Sequence, residues 1–121
     1  MKSYKDLEIY QESLELFLIT HRFSLKLPKY ELYELGSQLR RSSDSVITNI
    51  VEGYGRRVYK NDFLKFLVYS HASDLETINH LDKISQLYVQ FSEESIDLIR
   101  KYDRRGARIY KFNEYVRENW K

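Results

Sequence analysis

An all-α fold, an antiparallel up-and-down four-helix bundle, is predicted by three features of the chain. Apolar residues recur in steps of three and four along nearly all of its 121 residues. Interruptions are scarce, with one proline, Pro28, and four glycines. No strand-like alternation, low-complexity tract or repeat of fixed period competes with this pattern. The length suits one domain that buries its core without staples, so a single domain over residues 1–121 is expected.

The first helix is expected over about residues 5–26, where Leu7, Tyr10, Leu14, Phe17 or Leu18, His21 and Leu25 keep the helical step. It stops at Leu27-Pro28, because proline disfavours helix in the residue before it. The second spans about 31–53, opening just after the proline and closing at Gly53-Tyr54-Gly55, whose glycines can take the left-handed conformation that ends a helix. The third covers about 61–90, with Asn61-Asp62 or a residue or two earlier as its cap. Phe63, Leu67, Ser70, Asp74, Thr77, Leu81, Ile84 and Tyr88 form its inner stripe, polar in the middle. The fourth covers about 93–120, capped at Ser92 and lined by Ile99, Tyr102, Gly106, Ile109, Phe112, Val116 and Trp120. Short links between four such helices make a bundle.

The second helix separates into two stripes. Leu32, Leu35, Leu39, Val46 and Ile50 form an apolar face, and Gln38, Ser42, Ser45, Asn49, Glu52 and Arg56 form a polar line roughly 100° around it. A polar line beside a core implies a buried hydrogen-bonded network or a partner. Small residues also match between helices, Ser42, Ser43 and Ser45 on the second and Ser70, Ala72 and Ser73 on the third, which predicts that these two helices pack closely. Eleven tyrosines stand against six phenylalanines and one tryptophan. Tyrosine buries a ring while keeping a hydroxyl at a wet edge, as subunit interfaces favour. Tyr10, Tyr69, Tyr88 and Tyr102 fall on or near core stripes; Tyr30, Tyr33, Tyr54 and Tyr59 are the interface candidates.

The net charge of +2 conceals a partition. Arg100, Lys101, Arg104, Arg105, Arg108 and Lys111 share the last helix with one acid, Asp103, and the Arg100–Arg104–Arg108 spacing makes a ridge. Asp74, Glu76, Asp82, Glu93, Glu94 and Asp97 make the preceding hairpin acidic. Either the ridge tracks nucleic-acid phosphates, extended by Arg56, Arg57 and Lys60, or it meets the acidic hairpin of a neighbouring copy. A solvated face without a partner is the plain alternative.

Other functions are disfavoured. The absence of cysteine excludes disulfides, thiolate metal sites and a thiol nucleophile. His21, His71 and His80 lie on different helices or faces, and no Gly-x-Ser-x-Gly, Walker or His-Glu-x-x-His motif is present, so no catalytic residue is expected. Glu76 and His80 are one residue too far apart for the Glu-x-x-His of di-metal bundles and lack a second pair, so neither a metal nor another cofactor is expected. The N-terminus alternates charged and apolar residues, which predicts no signal peptide, no membrane association and a cytoplasmic location.

The run Leu27-Pro28, Glu31, Tyr33, Leu35, Gln38, Arg40-Arg41, Ser45-Val46, Asn49-Ile50, Glu52-Gly53-Tyr54-Gly55-Arg56, then Phe63, Phe66-Leu67 and Ser73-x-x-Glu76, resembles the four-helix 23S rRNA intervening-sequence proteins. The match spans most of the chain and is most specific at Asn49-Ile50-x-Glu52-Gly53-x-Gly55-Arg56. The resemblance implies a small bacterial protein of a family in which some members are encoded inside insertions of large-subunit ribosomal RNA genes. Related bundles are the accessory variability determinants of diversity-generating retroelements, basic pentameric barrels that bind nucleic acid and associate with a reverse transcriptase. By that likeness a homo-oligomer is implied, with the pentamer as its model, together with RNA or DNA and a reverse transcriptase or other protein as partners. It also implies that Asn49, Glu52, Gly53, Gly55 and Arg56 serve packing or a subunit contact. Glu52 and Arg56 are spaced to pair on one helix.

Overall fold

The computed structural model describes residues 3–120, which contain four long helices and no strand. These are α1 (Glu8–Ser24), α2 (Leu35–Gly55), α3 (Lys60–Leu87) and α4 (Ser92–Asn119), with short 3-10 turns at Tyr4–Asp6, Lys29–Glu31 and Val89–Phe91. Helix α1 touches α2 and α4, and α3 touches the same two, while the diagonal pairs make no backbone contact among the described residues. Directions follow from paired positions. Ser70 meets Val46 and Thr77 meets Ser42 across α2–α3, while Leu64 meets Asn113 and Ser85 meets Ser92 across α3–α4. Across α1–α4, Thr20 meets Tyr102 and Glu12 meets Arg105, so α1 runs opposite to α4 and hence also opposite to α2, and each helix is antiparallel to its sequence neighbour, as an up-and-down bundle requires.

Local chemistry moves several boundaries from the sequence expectation. The residues before α1 form a separate turn, capped by Ser3 and Asp6 in a reciprocal box, and Leu7 is extended between that turn and the helix. Helix α2 starts four residues later than the periodicity indicates. Pro28 leads into a 3-10 turn, Glu34 leaves helical geometry, and the Glu31 carboxylate accepts the Leu35 amide at 3.3 Å. Leu32 consequently lies outside the helix and is exposed. Neither Asn61 nor Ser92 is a side-chain cap; both sit inside their helices, behind Tyr59 and Phe91 at the cap positions.

The glycine expectation is also corrected. No described glycine has positive φ, and both Gly53 and Gly55 are helical. Gly53 instead permits close packing, since a Cβ there would lie 3.0 Å from Phe66 Cβ and 3.2 Å from Phe63 Cδ1. A Cβ on Gly55 would meet nothing within 4 Å. Gly55→Ala should therefore stabilise the protein by about 0.5–1 kcal/mol, and Gly53→Ala should destabilise it by about 1–3 kcal/mol. Urea unfolding checks the pair, and equal signs for the two changes would contradict the packing described.

The core is divided. Leu7, Ile9, Val46, Ile50, Tyr54, Phe63, Leu67, Ile109 and Val116 form one apolar cluster. Leu16, Phe23, Leu27, Leu39, Leu81, Ile84, Leu98 and Tyr102 form the other. Between them each helix contributes buried small or polar residues: Ser13; Ser42 and Ser43; Ser70, Ser73, Asp74 and Thr77; Arg105 and Gly106. This polar waist is the middle of the stripe read on the third helix, and it holds α2 against α3. Ser70 Oγ donates to the Val46 carbonyl at 2.7 Å, Ser73 Oγ to Ser45 Oγ at 2.9 Å, and Thr77 Oγ1 to Ser42 Oγ at 2.9 Å. A side chain as short as serine reaches the next helix only when the two helices pack closely, which the matched serines permit.

Candidate nucleic-acid interface

The polar waist sorts the cations of α4 by direction. Successive residues turn 100° about a helix, so the core side that holds Tyr102, Ile109 and Val116 fixes the outward side. Arg100, Arg104 and Lys111 point there, all exposed and with no ion-pair partner among the described residues. From Arg100 to Lys111 the stripe is about 16 Å long, at 1.5 Å of rise per residue.

The remaining α4 cations are engaged. Arg105 is buried, its side chain 8% exposed, and its guanidinium contacts Glu12 of α1 at 2.6 Å. Arg108 bridges Glu12 at 2.7 Å and Glu8 at 2.8 Å. Lys101 pairs with Asp97 at 3.2 Å, one turn back on α4. The expected ridge of Arg100, Arg104 and Arg108, with Lys101 and Arg105 beside it, is thus corrected: Arg105 is not on the surface, and Arg108 is drawn into the α1–α4 seam. Arg105 sits 140° around the helix from Arg100 by the same geometry, which turns it towards α1. The acids Glu8 and Glu12, one turn apart on the first helix, were the available signal for this pairing.

The loop cations form a second, separate group at the opposite end of α3 from the acidic turn. Arg57 lies over the Tyr54 ring at 4.0 Å and donates to the Tyr54 carbonyl at 2.9 Å. Arg56 lies over Phe66 at 4.9 Å and faces Asp62 at 3.7 Å. Lys60 Nζ donates to the Arg117 carbonyl, which brings the end of α4 to this loop. The Arg117 guanidinium itself turns back along α4 and donates to Asn113 Oδ1 at 3.2 Å. Tyr54 is buried at 6% and is a core ring, not an interface residue, whereas Tyr30, Tyr33 and Tyr59 are exposed. Tyr69, read as near the core, is exposed at 43%.

The signature residues follow the α2–α3 seam. The Asn49 amide turns back along α2 to the Ser45 carbonyl at 2.9 Å and Ser45 Oγ at 3.0 Å, and Ser45 in turn receives Ser73. Gly53 supplies the close approach of α3. The expected Glu52–Arg56 pair does not form: Glu52 is exposed, and Arg56 is drawn to Asp62 and Phe66 on the following helix. At the far end, hydrogen bonds to Glu31 and Tyr30 hold the Tyr88 phenol above its ordinary pKa.

Two further polar groups lie inside the bundle. Asp74 Oδ2 has no hydrogen-bond partner, and a Cβ on Gly106 would lie 2.8 Å from Asp74 Oδ1, so the carboxyl is pressed against the α4 backbone. Burial raises its pKa from 3.8 to about 7, the Arg105 charge opposing and the Asp103 charge adding to the rise. His80 is also buried, its Nε2 3.3 Å from Glu76 and its Nδ1 unpartnered. Among the described residues no group of three His, Cys, Asp or Glu is placed to hold a metal ion, and no helix is long and apolar enough to cross a membrane.

Compared with known proteins, the chain matches a family model described as 23S rRNA-intervening sequence protein over residues 5–111. No curated protein matches it.

Proposed function

The chain belongs to the 23S rRNA-intervening sequence protein family, and on that footing we propose that it is a non-enzymatic, self-associating bundle that presents a basic face to RNA or DNA. The observation that carries this reading is the outward stripe of Arg100, Arg104 and Lys111. Three cations in one line, held on one helix and with no ion-pair partner among the described residues, can displace counterions from a phosphate backbone. The loop group of Arg56, Arg57 and Lys60 adds cations at one end of the bundle. A reverse transcriptase or another protein is a candidate to share the complex, and a cytoplasmic setting accords with the absence of cysteine.

A protein-only scaffold is the alternative, favoured by the diversion of Arg105 and Arg108 towards Glu8 and Glu12. Titration of labelled single-stranded RNA and DNA against salt separates the two. Reversing Arg100, Arg104 and Lys111 to glutamate is expected to abolish most binding at low salt. Neutralising the same three residues with glutamine should lower the slope of log affinity against log salt by about 2–3, at roughly 0.7–0.9 for each phosphate that no longer meets a cation. Arg105→Met should leave affinity unchanged. Absence of binding at low salt, or insensitivity to the triple reversal, would establish the scaffold reading instead.

A further inference from the structure

Beyond Lys111 the outward stripe of α4 ends on an aromatic ring. At 100° per residue Tyr115 stands about 20° from Arg104 and about 40° from Lys111 around the helix axis, and about 6 Å beyond Lys111 along it. Tyr115 is 53% exposed. Its ring lies 6.2 Å from that of Phe112 and nearly parallel to it, at 22°, and Phe112 meets the buried Phe63 ring at 6.0 Å and 68°. Tyr115 is thus held towards the core through Phe112 while much of it stays open to solvent. Glu114 and Glu118, on either side of the ring, are exposed acids, so the run that suits phosphates stops there. Tyr115 also lies beyond residues 5–111, the part matched to the family, so its role is read from this chain's own residues.

We propose that Tyr115 stacks an unpaired base, so that the α4 stripe takes single-stranded RNA or DNA, with phosphates on Arg104 and Lys111 and one base on the ring. Every base has a π-face, and a single strand can turn one outward, whereas inside a duplex both faces of a base are covered by its neighbours. A ring already braced by Phe112 has little rotamer freedom to lose on binding. Tyr110 supplies the contrast. It is 57% exposed, but it lies about 140° around α4 from Tyr115, on the α3 side, with its ring 6.3 Å from that of His71. The inference rests on the nucleic-acid reading above and names the strand state that the stripe selects and the residue that selects it.

Binding of labelled single strands, RNA and DNA, and of a duplex of the same length tests it at one low salt concentration. Tyr115→Ala should weaken single-strand binding roughly tenfold, the worth of one base–aromatic stack, and leave duplex binding unchanged. Tyr115→Phe keeps the ring and Tyr110→Ala lies off the stripe, so both should bind as the wild type does. The unaltered protein gives a second measurement that needs no variant to fold: a strand of abasic sugar-phosphate should bind it roughly tenfold more weakly than the base-bearing strand. Circular dichroism checks that each variant is helical. Single-strand binding that is unaffected by Tyr115→Ala, an equal loss on single strands and duplex, or an abasic strand that binds as well as the base-bearing one overturns the stacking platform and leaves the cation stripe standing. A wild-type chain that binds no nucleic acid at low salt overturns both.

Discussion

Glu12→Ala is expected to cost about 2–4 kcal/mol of stability, because it leaves the buried Arg105 guanidinium without its carboxylate. Breaking a fully buried ion pair from one side costs roughly 3–5 kcal/mol, and the partial exposure of Glu12, 34% at the side chain, places this pair towards the lower end. Arg108 also loses a partner but keeps Glu8 and stays hydrated. Removing the cation has a different outcome. Arg105→Met retains the aliphatic packing and leaves Glu12 with Arg108, so it should stay within about 1 kcal/mol of wild type. Urea unfolding of both variants measures the asymmetry. Equal and small effects would mean that solvent reaches the Arg105 site.

The second large effect is set by pH. Asp74 has its carboxyl pKa raised by burial from 3.8 to about 7, so the folded protein holds this proton more tightly than the unfolded chain. Below about pH 4 both states are protonated and the residue has no effect on stability. Between about pH 4 and 7 the unfolded chain releases the proton while the folded one keeps it, so stability falls as pH rises, and the loss is complete above about pH 7. At 1.36 kcal/mol per tenfold change the full difference corresponds to roughly 4 kcal/mol, with roughly 2–4 kcal/mol expected once the nearby Arg105 can reorient. Asp74→Asn should therefore be more stable than wild type at pH 8 by that amount and equal to it near pH 4. Parallel pH–stability curves for the two proteins would show that Asp74 is hydrated or paired in the folded state.

Both predictions concern the polar waist, which marks the limit of what helical periodicity reveals. The inner stripe of the third helix was legible residue by residue from Phe63 to Ile84, including Ser70, Asp74 and Thr77, because burial on a helix follows angle whatever the side chain. The close α2–α3 approach was legible from serines at matching positions. The cations of the last helix were legible only as a group. Their spacing places Arg100, Arg104 and Arg108 on a ridge, but whether a guanidinium faces water or carboxylates depends on which helix stands beside it. Glu8 and Glu12 lie almost a hundred residues away in the chain, so the pairing that neutralises Arg105 and Arg108 is a long-range event.

The glycines show the same division. Gly53 and Gly55 mark the end of a helix in sequence, and α2 does end at Gly55. Their conformation and purpose came from elsewhere: neither is left-handed, and Gly53 is small because Phe63 and Phe66 of α3 cross above it. By itself the sequence determined the all-α class, the number and order of the helices, the buried stripes of α3 and α4 and the family signature, since each is written in local spacing and in residue size; on α1 the same spacing picked out Leu18 and Leu25, which are exposed, whereas Ile9, Leu16 and Phe23 carry the core. Only the tertiary structure decided which cations have no ion-pair partner among the described residues, which tyrosines are core, which face of α1 is buried, and that Asp74 is pressed against the α4 backbone at Gly106. The physical reason is that residue spacing is a property of one helix, whereas charge pairing, desolvation and exposed surface arise between helices and depend on which ones become neighbours.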